Sequence, residues 1–166
     1  AKQRVISFMP DVGLLKIVQP EMVWWDFGQY ARLVEAARTR EPEWFVPVCL
    51  AGEAGLRIGE IRALKWERDV DLIAGTLTVN RQVRKGIEGP PKGRRIRSIP
   101  MTPTLLVALK GMSVVRRGLV VRNPDGSEIR DGQTTHSIYR VCRKAGLPER
   151  GWHCMRHYAE SRIMPT

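Results

Sequence analysis

Apolar residues along the chain change their spacing several times, and each change predicts an element. Phe27, Tyr30, Leu33, Val34 and Ala37 recur at helical intervals behind Asp26, and Gln29 stands where it would complete a capping box. The run "EPEWFVPVCLAGEAG" is apolar almost throughout, which predicts a buried helix closing near Gly55, with Pro47 either in its first turn or kinking it. "IGEIRALKW" predicts a short third helix that turns Ile58, Ile61 and Leu64 inward.

The period then drops to two. "GTLTVNRQV" alternates Leu77, Val79 and Val83 with polar residues and predicts a strand; "KGIEGPPKG" reads as a turn-rich connection and "RRIRSIPM" as the returning strand. Helical spacing resumes at Thr102 and Pro103, with Leu105, Leu106 and Leu109 inside and Gly111 as the stop. "GLVVRNPDGSEI" predicts a short strand turned by its Asn-Pro-Asp-Gly. Thr134 or Thr135 then caps a helix facing inward through Ile138, Val141, Cys142 and Ala145 and ending at Gly146, and "WHCMRHYAESRI" begins one more. The fold class that results is α+β, mainly α, with a small antiparallel sheet. Residues 1–24, with Pro10 and Pro20 and no sustained period, read as an extended arm or linker.

Composition narrows the partners. A chain of 166 residues, 43% apolar and 27% charged, can build one hydrophobic core. Its 28 Lys and Arg outnumber 17 Asp and Glu, leaving +11. Such an excess favours a polyanion, because neutralising phosphates releases their counterions; nucleic acid comes first and an anionic membrane surface second. No apolar run approaches a membrane span and no signal-peptide pattern opens the chain. Cys49, Cys142 and Cys154 form an odd set without paired spacing, which points to a reduced, cytoplasmic protein.

Three short segments carry candidate chemistry. Arg57 follows a glycine-terminated helix and opens the next, between the apolar Leu56 and Ile58. Its stem lies along the surface with its head in water, or its guanidinium grips an anion, with Glu60 three residues on to brace it. Lys92 sits near the tip of the expected hairpin beside Arg94, Arg95 and Arg97, the densest positive stretch in the chain and a candidate for direct phosphate contact. His153 and Arg156, three apart, share one helical face, where an imidazole could move protons and a guanidinium could hold phosphate oxygens. A zinc site from His153, Cys154 and His157 lacks the second ligand pair that such sites need.

Taken in order, "AGLRIGEIRAL", "PKGRRIRSIPM" and "HCMRH" resemble the catalytic domain of the tyrosine recombinases, or phage-type integrases, and the likeness covers most of residues 26–162. Lys92 lies eight residues before Pro100, as the lysine of that family's hairpin precedes its proline. The resemblance implies a helical recombinase core with a small antiparallel three-stranded sheet, residues 25–166 forming a catalytic domain incomplete at its C-terminus and residues 1–24 leading out of a separate DNA-binding domain. It implies site-specific cleavage and rejoining of double-stranded DNA through a 3′-phosphotyrosyl intermediate. Arg57 and Arg156 would clamp the phosphate, Glu60 support the first arginine, Lys92 act as general acid toward the leaving 5′ oxygen, and His153 assist proton transfer.

Neither metal nor small-molecule cofactor is implied, because the covalent link retains the bond energy. Self-association on DNA, as tetramers, and a bacterial cytoplasmic, nucleoid or phage-encoded setting follow from the family, with no membrane role. The nucleophilic tyrosine is expected to be missing. Tyr30, Tyr139 and Tyr158 stand outside the family's context for it, and Tyr158, two residues after Arg156, points off the His153–Arg156 face into the core. Absence of the terminal helices would expose apolar surface and favour self-association. The alternative is a cleavage-incompetent DNA-binding remnant or regulator of a mobile element.

Overall fold

In the computed structural model, which describes residues 24–112 and 115–161, the capping box expected at Asp26 is formed. The Asp26 carboxylate accepts from the Gln29 N–H at 2.7 Å, and the Gln29 side-chain oxygen accepts from the Asp26 N–H at 3.2 Å. Helix α1 (Phe27–Arg40) follows and buries Tyr30, Leu33, Ala36 and Ala37. All but the last residue of the predicted arm lie outside the described residues.

Helix α2 (Pro42–Glu53) starts on Pro42, where a missing N–H leaves no bond unmade; Pro47 sits deeper, past the first turn, and is buried. The helix is apolar on all sides because it is central. It packs against α1 and α3 (Ile58–Ala63), and also against α5 (Pro103–Lys110), α6 (Asp131–Lys144) and α7 (His153–Ser161). Gly52 lets α1 approach: a Cβ there would stand 2.2 Å from the Tyr30 ring.

The strands depart from expectation in detail. β1 (Val70–Asp71), β2 (Thr76–Val79) and β5 (Arg97–Pro100) form the three-stranded antiparallel sheet, in the order β1-β2-β5, with Leu77 opposite Ile99. The strand predicted over "GTLTVNRQV" breaks after Val79. There the Asn80 amide donates to the buried Asp69 at 3.0 Å, and the chain turns away into β3 (Gln82–Arg84). β3 pairs with β4 (Ile87–Gly89), which lies inside the segment read as turns, and Lys85 and Gly86 make the tight bend at φ 51° and 74°. This second hairpin rests on α3, where Gly59 permits contact: a Cβ on Gly59 would meet the Val83 carbonyl oxygen at 2.7 Å.

The strand predicted in "GLVVRNPDGSEI" is reduced to one bridge, Leu119 with Lys65, although Val120 and Val121 are buried and the Asn123–Gly126 turn forms. A one-turn helix α4 (Trp66–Asp69) continues the third predicted helix after a break at Leu64. Thr102 caps α5 as expected, but Leu106 is half-buried and Ala108 takes its place in the core. Helix α6 begins earlier than its threonines suggested. The Gln133 side chain accepts from the Arg130 N–H at 2.8 Å and sets the start, while Thr134 lies inside the first turn and donates to the Asp131 carbonyl at 2.7 Å. Among the described residues no helix is long and apolar enough to cross a membrane.

Candidate functional site

Three segments remote in sequence, the turn from α2 into α3, strand β5 and helix α7, meet beside the C-terminal end of α2. Gly55, at φ 63°, turns the chain out of α2, and Leu56 is drawn into the core with its N–H on the Leu50 carbonyl at 3.2 Å. Arg57 thereby becomes the residue preceding α3, in extended geometry, and Glu60 reaches back to accept from its N–H at 2.8 Å.

The Glu60 side chain has no exposed surface, and two guanidinium groups close over it. Arg57 Nη1 lies 3.3 Å from Oε1, while Arg97, arriving from β5, donates Nη1 to Oε1 at 3.0 Å and Nη2 to Oε2 at 2.7 Å. Burial pushes the Glu60 carboxyl up; the hydrogen bonds from Arg97 and the Arg57 N–H, with both positive charges, outweigh it and hold the group below the usual carboxylate range. One buried anion faces two cations, so the cluster keeps a net positive charge.

Helix α7 supplies the other wall. Arg156 donates Nε to Glu160 at 2.8 Å, while its Nη1 is buried with no hydrogen-bond partner among the described residues. Arg97 and Arg156 line the same cavity of about 420 Å³, floored by Ile99, Pro100 and Ala159. His153, one turn before Arg156, sets its ring 4.6 Å from that of His157. Partial desolvation, then the neighbouring His157, Arg156 and Arg57, lower the proton affinity of His153, with Glu160 acting in the opposite sense.

The structure therefore joins Arg57, Glu60 and Arg97 in one ion cluster and sets Arg97 and Arg156 in one cavity, with His153 one turn before Arg156 on α7. Lys92, Arg94 and Arg95 are exposed on the 90–96 loop between β4 and β5, whose turn is closed by the Arg94 N–H on the Pro91 carbonyl at 2.8 Å. The hairpin β3–β4 forms within the segment read as a turn-rich connection, and Lys92 follows it on an exposed loop. Arg97, grouped by sequence with its basic neighbours, is bound to Glu60. Strand alternation carried the clue, since Arg97 and Ile99 share the face of β5 that turns inward.

Tyr158 is buried and stacks on Tyr30, with ring centroids 4.1 Å apart, while Phe27 meets it edge-on at 5.7 Å. Among the described residues, no group of three or more His, Cys, Asp or Glu side chains could hold a metal ion.

A family model described as the phage integrase family matches residues 24–164. A tyrosine recombinase XerC-like protein of Caldanaerobacter subterraneus subsp. tengcongensis is 28% identical, over 65% of this chain and 35% of that protein. Among solved structures, the Tn1549 transposon integrase in complex with a circular intermediate DNA superposes with a TM-score of 0.76 at 17% identity, covering 90% of this chain and 55% of that one. The integrase from mycobacterium phage Brujita gives 0.63 at 25% identity, covering 86% and 45%. The chain thus spans about a third of the length of the curated relative and about half that of the solved structures.

Proposed function

Because the chain belongs to the phage integrase family, we propose that it holds the phosphodiester of double-stranded DNA for site-specific cleavage and rejoining. The observation that supports this most strongly is that Arg97 and Arg156 line one cavity while Arg57 is held beside Arg97 on Glu60, with a buried guanidinium nitrogen of Arg156 that no group among the described residues satisfies. A phosphodiester oxygen is the group such a donor requires.

In this reading Arg57 and Arg156 bind the two non-bridging oxygens and stabilise the charge that builds on them as phosphorus becomes five-coordinate. Glu60 keeps Arg57 and Arg97 in place. His153 accepts the proton of the attacking phenol, and Lys92, carried by the 90–96 loop, gives a proton to the departing 5′ oxygen. Arg94 and Arg95 on that loop meet neighbouring phosphates. Tyr158 and Tyr30 are stacked on each other in the core, so neither supplies the phenol. Self-association on DNA accompanies the reaction.

Duplex affinity tests the grip. Arg57→Ala and Arg156→Ala each weaken binding by about 1 kcal/mol or more, to the same degree on unrelated sequences, and flatten the salt dependence by about one counterion apiece. A loss confined to one sequence would mean that these arginines read bases.

A further inference from the structure

Resting on that reading of the site, we propose that Glu160 is a built-in competitor of the phosphate: its carboxylate holds Arg156 when no anion is bound and weakens the site's hold when one is.

Glu160 follows Arg156 by one helical turn and lines the same cavity as Arg156 and Arg97. Oε1 takes the Nε of Arg156 at 2.8 Å, and Oε2 stands 3.4 Å from Nδ1 of His157. Its position differs from that of Glu60 in the respect that decides its role. Glu60 has no exposed surface and is locked between two guanidiniums, so it belongs to the framework; Glu160 is 48% exposed and is held by one side of Arg156. Exposed pairs of this spacing are weak and readily exchanged.

Geometry sets the consequence. A guanidinium binds an anion along one of its edges, and the edge that includes Nε is taken by Glu160. A phosphate using that edge must displace the carboxylate. A phosphate using the buried Nη1, which has no partner among the described residues, instead stands within a few ångströms of a like charge. Both routes weaken anion binding, and neither affects the fold, since Glu160 contributes nothing to the core. His157 offers the displaced carboxylate a second place to rest.

A labelled duplex of arbitrary sequence, titrated with the full chain and read by fluorescence anisotropy, tests this. Glu160→Gln keeps the shape and the acceptor but removes the charge, and is expected to bind about three- to tenfold tighter. Glu128→Gln makes the same charge change on the exposed segment before α6 and should stay within about twofold of the unaltered chain. In an Arg156→Ala background the gain from Glu160→Gln disappears. No gain from Glu160→Gln, or an equal gain from Glu128→Gln or in the Arg156→Ala background, overturns the proposal. Arg156→Ala binding as well as the unaltered chain is a different failure, because it removes the phosphate reading itself.

Discussion

Arg97 directs both terminal nitrogens of its guanidinium at Glu60, 37 residues earlier, at 3.0 and 2.7 Å. This contact ties the sheet to the turn that presents Arg57, and it sets the first prediction. Glu60→Gln leaves two guanidiniums over a neutral amide and should destabilise the fold by about 2–4 kcal/mol, read from the urea midpoint. The folded carboxyl titrates below the unfolded one, so its contribution is complete above roughly pH 4.3 and is lost as the pH falls through the lower folded value. The gap between wild type and variant therefore narrows in acid. A gap that stayed constant would show that Glu60 acts through shape alone.

Gly59 holds the second hairpin to α3. A methyl group there would meet a backbone carbonyl at 2.7 Å, and a backbone cannot rotate aside as a side chain can. Gly59→Ala should lower stability by about 1–2 kcal/mol, despite the roughly 1 kcal/mol that the same change returns inside a helix, and should shift the amide resonances of β3 and β4. A higher melting temperature would mean that the hairpin is not packed there.

Glu41 joins α1 and α2 to α6 through Arg140, at 2.8 Å, and Lys144. The hydrogen bond from Arg140, against some desolvation and helped by Lys144, lowers its carboxyl to about 2. That value lies below the unfolded one, so the stabilisation is present above roughly pH 4.3 and is lost toward pH 2, amounting to at most about 3 kcal/mol. Glu41→Gln should be less stable at pH 7, with a shallower loss between about pH 4 and 2 in acid unfolding.

Two of the chain's three tyrosines are held in the core. Tyr30 and Tyr158 stack on each other, and burial, with the nearby Cys49 and Glu53, pushes the Tyr30 phenol well above its ordinary range, which makes it a poor nucleophile. A nicked duplex that traps phosphotyrosyl adducts should yield none with this chain alone. An adduct mapped to Tyr139 or Tyr158 would contradict the assignment.

What could be read in advance follows from distance along the chain. The pairs Arg57–Glu60 and His153–Arg156 are local, three residues apart, and helix geometry dictates them. The Glu160 contact with Arg156, at four residues, was equally within reach of that rule. Arg97 finding Glu60 is long-range and depends on which face of β5 turns inward. The break after Val79 needed Asp69, which gives the Asn80 side chain a buried partner. The place of Lys92 depends on a hairpin whose strands are three residues each, too short for alternation to reveal. The start of α6 is hidden from local pattern because Gln133 reaches back to Arg130 without a preceding serine, threonine or aspartate cap.

The central claim is that Arg57, His153 and Arg156 form one anion site. Side-chain nitrogen resonances of the isotope-labelled chain, followed while a short duplex is titrated in, test it most directly. The account predicts that Arg57 and Arg156 guanidinium signals and the His153 ring signals move together along a single binding curve, and that the curve is lost in Arg156→Ala. Arginine signals that respond at different concentrations, or a His153 ring that does not respond while the arginines do, would contradict it.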